Sequence, residues 1–233
     1  SRVTLGAEVA ITATIMATLR GILPAAEYVL LAASTVRRLF AGDERVSVHE
    51  VRHNREQGLI EQFDAWLDVI QAIRTETEGL HPEEFLVIDP DSRLSQLGLL
   101  PVMEDEASYV LFPSRSFGGQ GEESLGALAA RWTAQTFGAA TSCYPQLSLP
   151  AEDWDLARAL VRRLTESSPR PVTVVNFGVG GNSAKRLSEP FEHKLVLKLI
   201  ESGNCVLLAK GVGPEETDRS NRLLRTMAES GKI

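Results

Sequence analysis

The chain has 233 residues, of which 43% are hydrophobic and 24% charged, the composition of an ordinary globular protein with one large domain or two modest ones. The net charge of −7 and the isoelectric point near 5.2 argue against a nucleic-acid partner. Such a partner requires a positive field that releases counterions from the phosphates, and this chain has none overall.

Side-chain periodicity predicts alternating helices and short apolar strands in the first part of the chain. In chain order these are helix 7–21, strand 28–33, helix 35–40, strand 45–51, helix 54–77, strand 85–88, strand 109–112 and helix 124–137. Short strands separated by helices indicate a parallel sheet covered on both faces. Ligands of such sheets bind beyond the carboxyl ends of the strands.

Residues 139–152 contain one Tyr-Pro pair, one Leu-Pro pair and little periodicity, which is typical of a linker. Beyond it we predict helix 153–165, strand 172–177, helix 190–202, strand 204–209 and helix 215–230. We therefore expect a domain over 1–140, a linker over 141–152 and a second α/β domain over 153–233. The second domain looks truncated, and we expect the chain to be part of a longer protein.

Cysteine and histidine usage favours a reducing compartment without a metal. The chain has two cysteines, Cys143 and Cys205, and no Cys-x-x-Cys pair, so neither a disulfide framework nor a structural zinc site is expected. The four histidines share no ligand spacing. The longest apolar runs, near 29–34 and 196–200, are far shorter than the roughly 20 residues that cross a bilayer. We expect a cytoplasmic protein.

A glycine-rich turn follows the strand predicted at 172–177, and it is the strongest candidate site. Glycines allow backbone amides to approach an anion, and a serine hydroxyl and a lysine ammonium add donors for phosphate oxygens. The candidate phosphate-binding residues are Gly180, Gly181, Asn182, Ser183 and Lys185. The order of residues is not that of a Walker loop. A plain turn with an exposed Lys185-Arg186 pair is the alternative.

Three further patterns are candidates for binding or catalysis. Glu8 falls in the first turn of the predicted helix 7–21, where it is a candidate base or simply complements the helix dipole. The loops after the strands at 85–88 and 109–112 carry arginines beside hydroxyls, which suit an anion, although turn chemistry also explains the serines. These candidates are Arg93, Ser114, Arg115 and Ser116. In the loop 210–216, Glu215 and Glu216 either cap a helix or hold ribose hydroxyls.

Taken together, the segments 4–12, 24–27, 176–187 and 211–224 resemble glycosyltransferase family nine, the ADP-heptose:lipopolysaccharide heptosyltransferases. The first is similar to the family's Leu-Gly-Asp turn, the third to its Asn-Pro-Gly…Lys-Arg-Trp loop and the fourth to its loop with two adjacent glutamates. The middle of the chain, about residues 45–149, matches only in the alternation of its predicted helices and strands. Ala7-Glu8 stands where the family has an aspartate, and the family's later donor segment is absent.

The resemblance implies a GT-B fold, in which two Rossmann-like domains with parallel sheets face each other across a cleft. It implies an inverting, metal-independent and cofactor-free transfer of a heptose-like sugar from a nucleotide-diphosphate donor to a bacterial cell-envelope glycan or lipid-linked acceptor. Glu8 would deprotonate the acceptor hydroxyl. Lys185 with the loop amides would stabilise the departing diphosphate. Glu215 or Glu216 would meet the nucleoside.

Two arginines suggest a binding role that the resemblance does not imply, and two other functions are alternatives to glycosyl transfer. The chemistry of Arg93 and Arg115, rather than the family, suggests that they bind an anionic acceptor. A lipid-linked acceptor would allow the protein to associate peripherally with the inner membrane. The alternatives are a nucleotide-sugar epimerase or hydrolase of the same fold, and a non-catalytic homologue that binds a glycan or a nucleotide.

Overall fold

The computed structural model describes residues 5–51, 58–118, 121–138, 140, 144–166, 169–179, 183–211, 213–229 and 231. The chain forms two compact units, Ser1–Ala151 and Glu152–Ile233. Both contain helices and parallel strands, so the predicted mixed α/β class is confirmed at that level. Among the described residues the strands pair only two by two, because β-ladder hydrogen bonds join three separate pairs.

Unit 1 begins with a long helix and continues with strands and helices in the predicted order. Its elements are α1 (Leu5–Ile22), β1 (Tyr28–Ala32), α2 (Arg37–Phe40), β2 (Val46–Glu50), α3 (Leu59–Glu76), β3 (Val87–Asp89), β4 (Tyr109–Leu111) and α4 (Leu125–Phe137). A 3₁₀ turn, Ser34–Val36, precedes α2. The first four residues of the predicted helix 54–77 lie outside the described residues.

Helix α1 is the central helix of unit 1. Its side chains at Ile11, Ile15 and Leu19 share one core cluster with Phe112 and with Trp132 of α4. The spacing of these apolar residues predicts the buried face, since positions four apart share one side of a helix. Periodicity does not predict that Glu8–Thr12 forms a π-helical segment within α1. Such segments are rare and concentrate at functional positions.

By length and composition alone, α1 is also long and apolar enough to cross a membrane, although it is not an uninterrupted apolar run. Polar residues such as Thr12 and Thr14 interrupt the run, but they are buried with their neighbours. Over half of the helix is buried within the protein. A buried core helix can have the same length and composition as a membrane span, and the burial of α1 is that of a well-packed core helix.

The strands of unit 1 pair in parallel, β1 with β2 and β3 with β4. The connection between β1 and β2 runs through α2, whose Phe40 is completely buried beneath the pair. A parallel pair needs such a crossover because the chain must return to the same end of the sheet before the second strand starts. The carboxyl ends of β3 and β4 consequently lie side by side, which brings the loops after them together.

The second half of the predicted linker lies against unit 1. The amide of Ser148 donates to the carbonyl of Leu39 at 3.0 Å, and the amide of Gly42 donates to the carbonyl of Ser148 at 2.7 Å. A Cβ on Gly42 would lie 2.5 Å from the carbonyl oxygen of Leu149, so only glycine allows this approach. The chain therefore leaves unit 1 at Ala151, where the next helix begins.

Asp43 anchors the turn between α2 and β2, and we expect Asp43→Asn to lower the free energy of unfolding by about 1–3 kcal/mol at pH 7. Its carboxylate accepts from the Arg45 side chain, which lowers the pKa of Asp43, and Arg20 lies 2.9 Å away. A lowered folded-state pKa stabilises the protein above the unfolded value, near 3.9, and the effect disappears as the pH falls through the folded value.

Urea denaturation between pH 7 and pH 3 measures this effect, with the exposed Asp68→Asn as the control. The difference between wild type and Asp43→Asn should be constant down to about pH 5 and then shrink with acidification. A difference that is the same at every pH would contradict the role of the Asp43 charge.

Unit 2 is smaller. It consists of α5 (Ala151–Thr165), β5 (Val172–Asn176), α6 (Glu189–Glu201), β6 (Cys205–Ala209) and α7 (Pro214–Glu229). Strands β5 and β6 pair in parallel, and α6 and α7 cover them through Val196, Leu223 and Met227. Val174 on β5 is 68% exposed, so the strand pair is open to solvent at this residue.

Candidate functional site

The two arginine-bearing loops of unit 1 contact each other directly. The Ser114 hydroxyl, after β4, donates a short hydrogen bond to the Asp91 carboxylate, after β3. Both groups are buried, at 9% and 4% exposure. Arg93 and Arg115 are exposed on the same two loops, and the exposed Ser116 follows in a turn closed onto Pro113. The structure thus places all four predicted acceptor residues at one edge of the β3–β4 pair, with Ser114 turned inwards.

Asp89, the last residue of β3, is the polar centre beneath these loops, and no sequence motif pointed to it. The carboxylate is 5% exposed and accepts from the Ser92 amide at 2.7 Å and the Tyr109 hydroxyl at 2.9 Å. It also accepts a short hydrogen bond from the Ser95 hydroxyl. Burial, and then the negative charge and hydrogen bond of Asp89, raise the pKa of Tyr109, so the phenol remains a donor at neutral pH.

The loop after β3 holds an unusual backbone. Asp91, Gln96 and Leu97 have positive φ angles of 61°, 49° and 67°, and Gly98 follows with 80°. Positive φ in residues other than glycine costs free energy and is retained where the surroundings impose it. Here the hydrogen bonds to Asp89 and the contact between Asp91 and Ser114 impose the positive φ angles. These contacts thereby fix the position of the backbone at Arg93.

Glu8 lies in the π segment of α1 and is 1% exposed. The Thr12 hydroxyl donates to its Oε2 at 2.7 Å. Ile11 and Phe112 belong to one core cluster. In the sequence, Glu8 comes three residues before Ile11, and Ser114 comes two residues after Phe112. Glu8 lies near the start of the helix, so an acid that complements the helix dipole, here from a buried position, remains the alternative to a base.

In unit 2, three of the predicted phosphate-binding residues, Gly180, Gly181 and Asn182, lie outside the described residues. The other two, Ser183 and Lys185, belong to an exposed 3₁₀ turn, Ser183–Lys185, before α6. The described part of the glycine turn comes directly after β5, as predicted. The Gly178 amide donates to the Asn176 side chain at 2.8 Å, which turns the chain at the end of the strand.

Glu216 and Glu215, the predicted nucleoside residues, both contact the segment that follows β5. The Val179 amide donates to Glu216 Oε1 at 2.8 Å. Glu215 accepts a short hydrogen bond from Arg186, which holds the pKa of Glu215 below its usual range and raises the pKa of Arg186. The structure therefore brings Val179, Arg186 and the start of α7 together at one end of the β5–β6 pair.

A buried ionic network, which no local sequence pattern predicts, supports this end of the strand pair. Arg219 of α7 donates from Nε to Glu192 Oε2 at 2.9 Å and from Nη2 to the Leu187 carbonyl at 2.6 Å. The Glu192 side chain is 3% exposed and that of Arg219 15%. Because the partners are 27 residues apart, only the packing of α6 against α7 brings them together. Their contacts fix the segment that follows Lys185.

A small cleft opens at the carboxyl ends of β5 and β6. Its polar lining includes the cations Arg186, Lys210 and Arg219 and the acids Glu192 and Glu216. Arg186 and Arg219 are paired with glutamates, whereas the Lys210 ammonium has no carboxylate partner among the described residues. The free volume is about 10 Å³, which holds about one water molecule. Within the described residues, no three His, Cys, Asp or Glu side chains are grouped as metal ligands would be.

Comparison with known proteins adds no relative. The chain matches no protein-family model, no curated protein and no solved structure.

Proposed function

We propose that the protein is an inverting, metal-independent glycosyltransferase that moves a sugar from a nucleotide diphosphate to a bacterial cell-envelope acceptor. The observation that carries the proposal is the cleft at the carboxyl ends of β5 and β6, which is lined in part by Arg186, Lys210 and Arg219. Parallel α/β units bind their ligands at this edge, and backbone amides with Lys and Arg side chains suit a diphosphate.

The donor diphosphate would lie against unit 2. Lys185 is exposed in the turn that enters α6, and Lys210 lines the cleft without a carboxylate partner in the described part of the chain. Negative charge develops on the diphosphate as the bond to the sugar breaks, and fixed cations stabilise that charge in the transition state. The residues 180–182, which the sequence assigns to the same role, would add amides.

Unit 1 would contribute the acceptor side. Arg93 and Arg115 present guanidinium groups from two loops that the contact between Asp91 and Ser114 holds together. Such groups recognise phosphate or carboxylate on an envelope glycan. Glu8 would take the proton of the attacking hydroxyl, and Thr12 fixes the orientation of its carboxylate. Since Glu8 is 1% exposed, acceptor binding has to open the first turns of α1.

Thermal unfolding with millimolar ADP, UDP, GDP or dTDP tests the proposal. One nucleotide should stabilise the wild type, by about 2.7 kcal/mol at a hundredfold excess over its dissociation constant, because it binds only the native state. Lys185→Ala should lose most of that stabilisation. The matched control is Lys194→Ala, an exposed lysine on α6, which should keep it. No stabilisation by any nucleotide, or equal stabilisation of Lys185→Ala, would overturn the assignment.

A further inference from the structure

Glu216, the third residue of α7, contacts a segment that is distant from it in the sequence. Its Oε1 accepts from the Val179 amide, 37 residues earlier in the chain. That amide belongs to the glycine turn proposed to bind phosphate. A carboxylate therefore occupies one donor of the anion-binding turn.

Both loops that flank Glu216 are shaped around its side chain. A Cβ on Gly178 would lie 3.0 Å from Glu216 Oε2, and a Cβ on Gly211 would lie 2.5 Å from the Glu216 Cβ. Gly211 also has a φ of 80°, which side chains other than glycine rarely adopt. Two glycines, one after each strand of the pair, thus leave room for a single carboxylate.

This carboxylate lies in the cleft lined by Arg186, Lys210 and Arg219. The remaining free volume of about 10 Å³ suits one water molecule and is too small for a phosphate group. Glu216 therefore occupies the place, the amide and part of the positive field that a diphosphate would need. Two like charges this close repel each other in a partly buried cleft.

We propose that Glu216 is an internal competitor that holds the phosphate cleft closed until a diphosphate displaces it. The inference rests on the proposed function and adds regulation to the same site. Displacement would release the Val179 amide to the ligand and break the contact between Val179 and the start of α7. Affinity for the diphosphate is then set partly by the loss of the contact between Glu216 and Val179.

Isothermal titration of the full chain with inorganic pyrophosphate and with ADP tests the proposal on wild type, Glu216→Gln and Glu229→Gln. Glutamine keeps an acceptor oxygen for the Val179 amide but carries no charge. Glu229 is exposed at the other end of α7, so its replacement removes the same charge away from the cleft. Glu216→Gln should bind both ligands about tenfold or more tightly, and this gain should shrink at high salt. Glu229→Gln should match the wild type.

The outcomes separate this inference from the proposed function. Equal pyrophosphate affinity of wild type and Glu216→Gln would overturn competition, while stabilisation by a nucleotide through Lys185 would still support the transferase. Weaker ADP binding with unchanged pyrophosphate binding would also overturn it, because Glu216 would then hold the nucleoside. Absence of binding by all three proteins would overturn both proposals. Tight binding by Glu216→Gln alone would support an internal competitor.

Discussion

Replacing Asp89 with alanine is expected to lower the free energy of unfolding by about 3 kcal/mol or more. The carboxylate accepts from the Ser92 amide, the Ser95 hydroxyl and the Tyr109 hydroxyl inside the protein. Its removal leaves these donors without their acceptor, and each unsatisfied buried group costs about 1–3 kcal/mol. Part of this cost is recovered where water enters the space. The loss should still far exceed the effect of a surface substitution.

Urea denaturation followed by tryptophan fluorescence measures this loss. Trp66 is a suitable reporter, since its Nε1 donates to the Pro101 carbonyl and its ring packs in the cluster that contains Leu94. The matched control is Asp64→Ala, an exposed aspartate of α3, which should change the free energy by less than about 0.5 kcal/mol. If Asp89→Ala also lost less than about 0.5 kcal/mol, the loop would not depend on the carboxylate.

Asp89 also illustrates what the sequence could and could not predict about the fold. The helices and strands were predicted from apolar periodicity, and the parallel pairing of β1 with β2 was predicted from their alternation with helices. The role of Asp89 depends on Tyr109, 20 residues away, and on a backbone with positive φ at Asp91. Neither feature leaves a local pattern, because ordinary turn chemistry explains the same Asp, Pro and Ser residues.

The candidate site in unit 2 shows the same limit. The glycine turn after β5 and the acids at the start of α7 were predicted separately from local composition. Sequence spacing could not show that Glu216 reaches Val179, since this contact requires β5 and β6 to pair in parallel. Nor could it show the pair of Arg219 with Glu192, which forms only when α6 packs on α7. Contacts across the fold, unlike motifs, are consequences of packing.

The largest functional effect is expected at Glu8, where replacement by glutamine should slow sugar transfer by about 10²–10⁴-fold, the usual contribution of a general base. Glutamine has nearly the same shape and keeps an oxygen that can accept from the Thr12 hydroxyl, so the fold should persist. It cannot take the proton of an acceptor hydroxyl. The rate should therefore fall while donor binding, which the proposal assigns to unit 2, is unchanged.

The measurement is release of the nucleoside diphosphate from its sugar donor in the presence of envelope oligosaccharides, using the nucleotide that stabilises the chain. Glu27→Gln is the matched control, because Glu27 is an exposed glutamate of the same unit. It should transfer sugar at the wild-type rate. Undiminished transfer by Glu8→Gln would end the assignment of the base. Loss of transfer together with loss of thermal stability would mean that the buried carboxylate supports α1 instead. Only a slow but stably folded variant that still binds the nucleotide identifies Glu8 as the group that removes the proton.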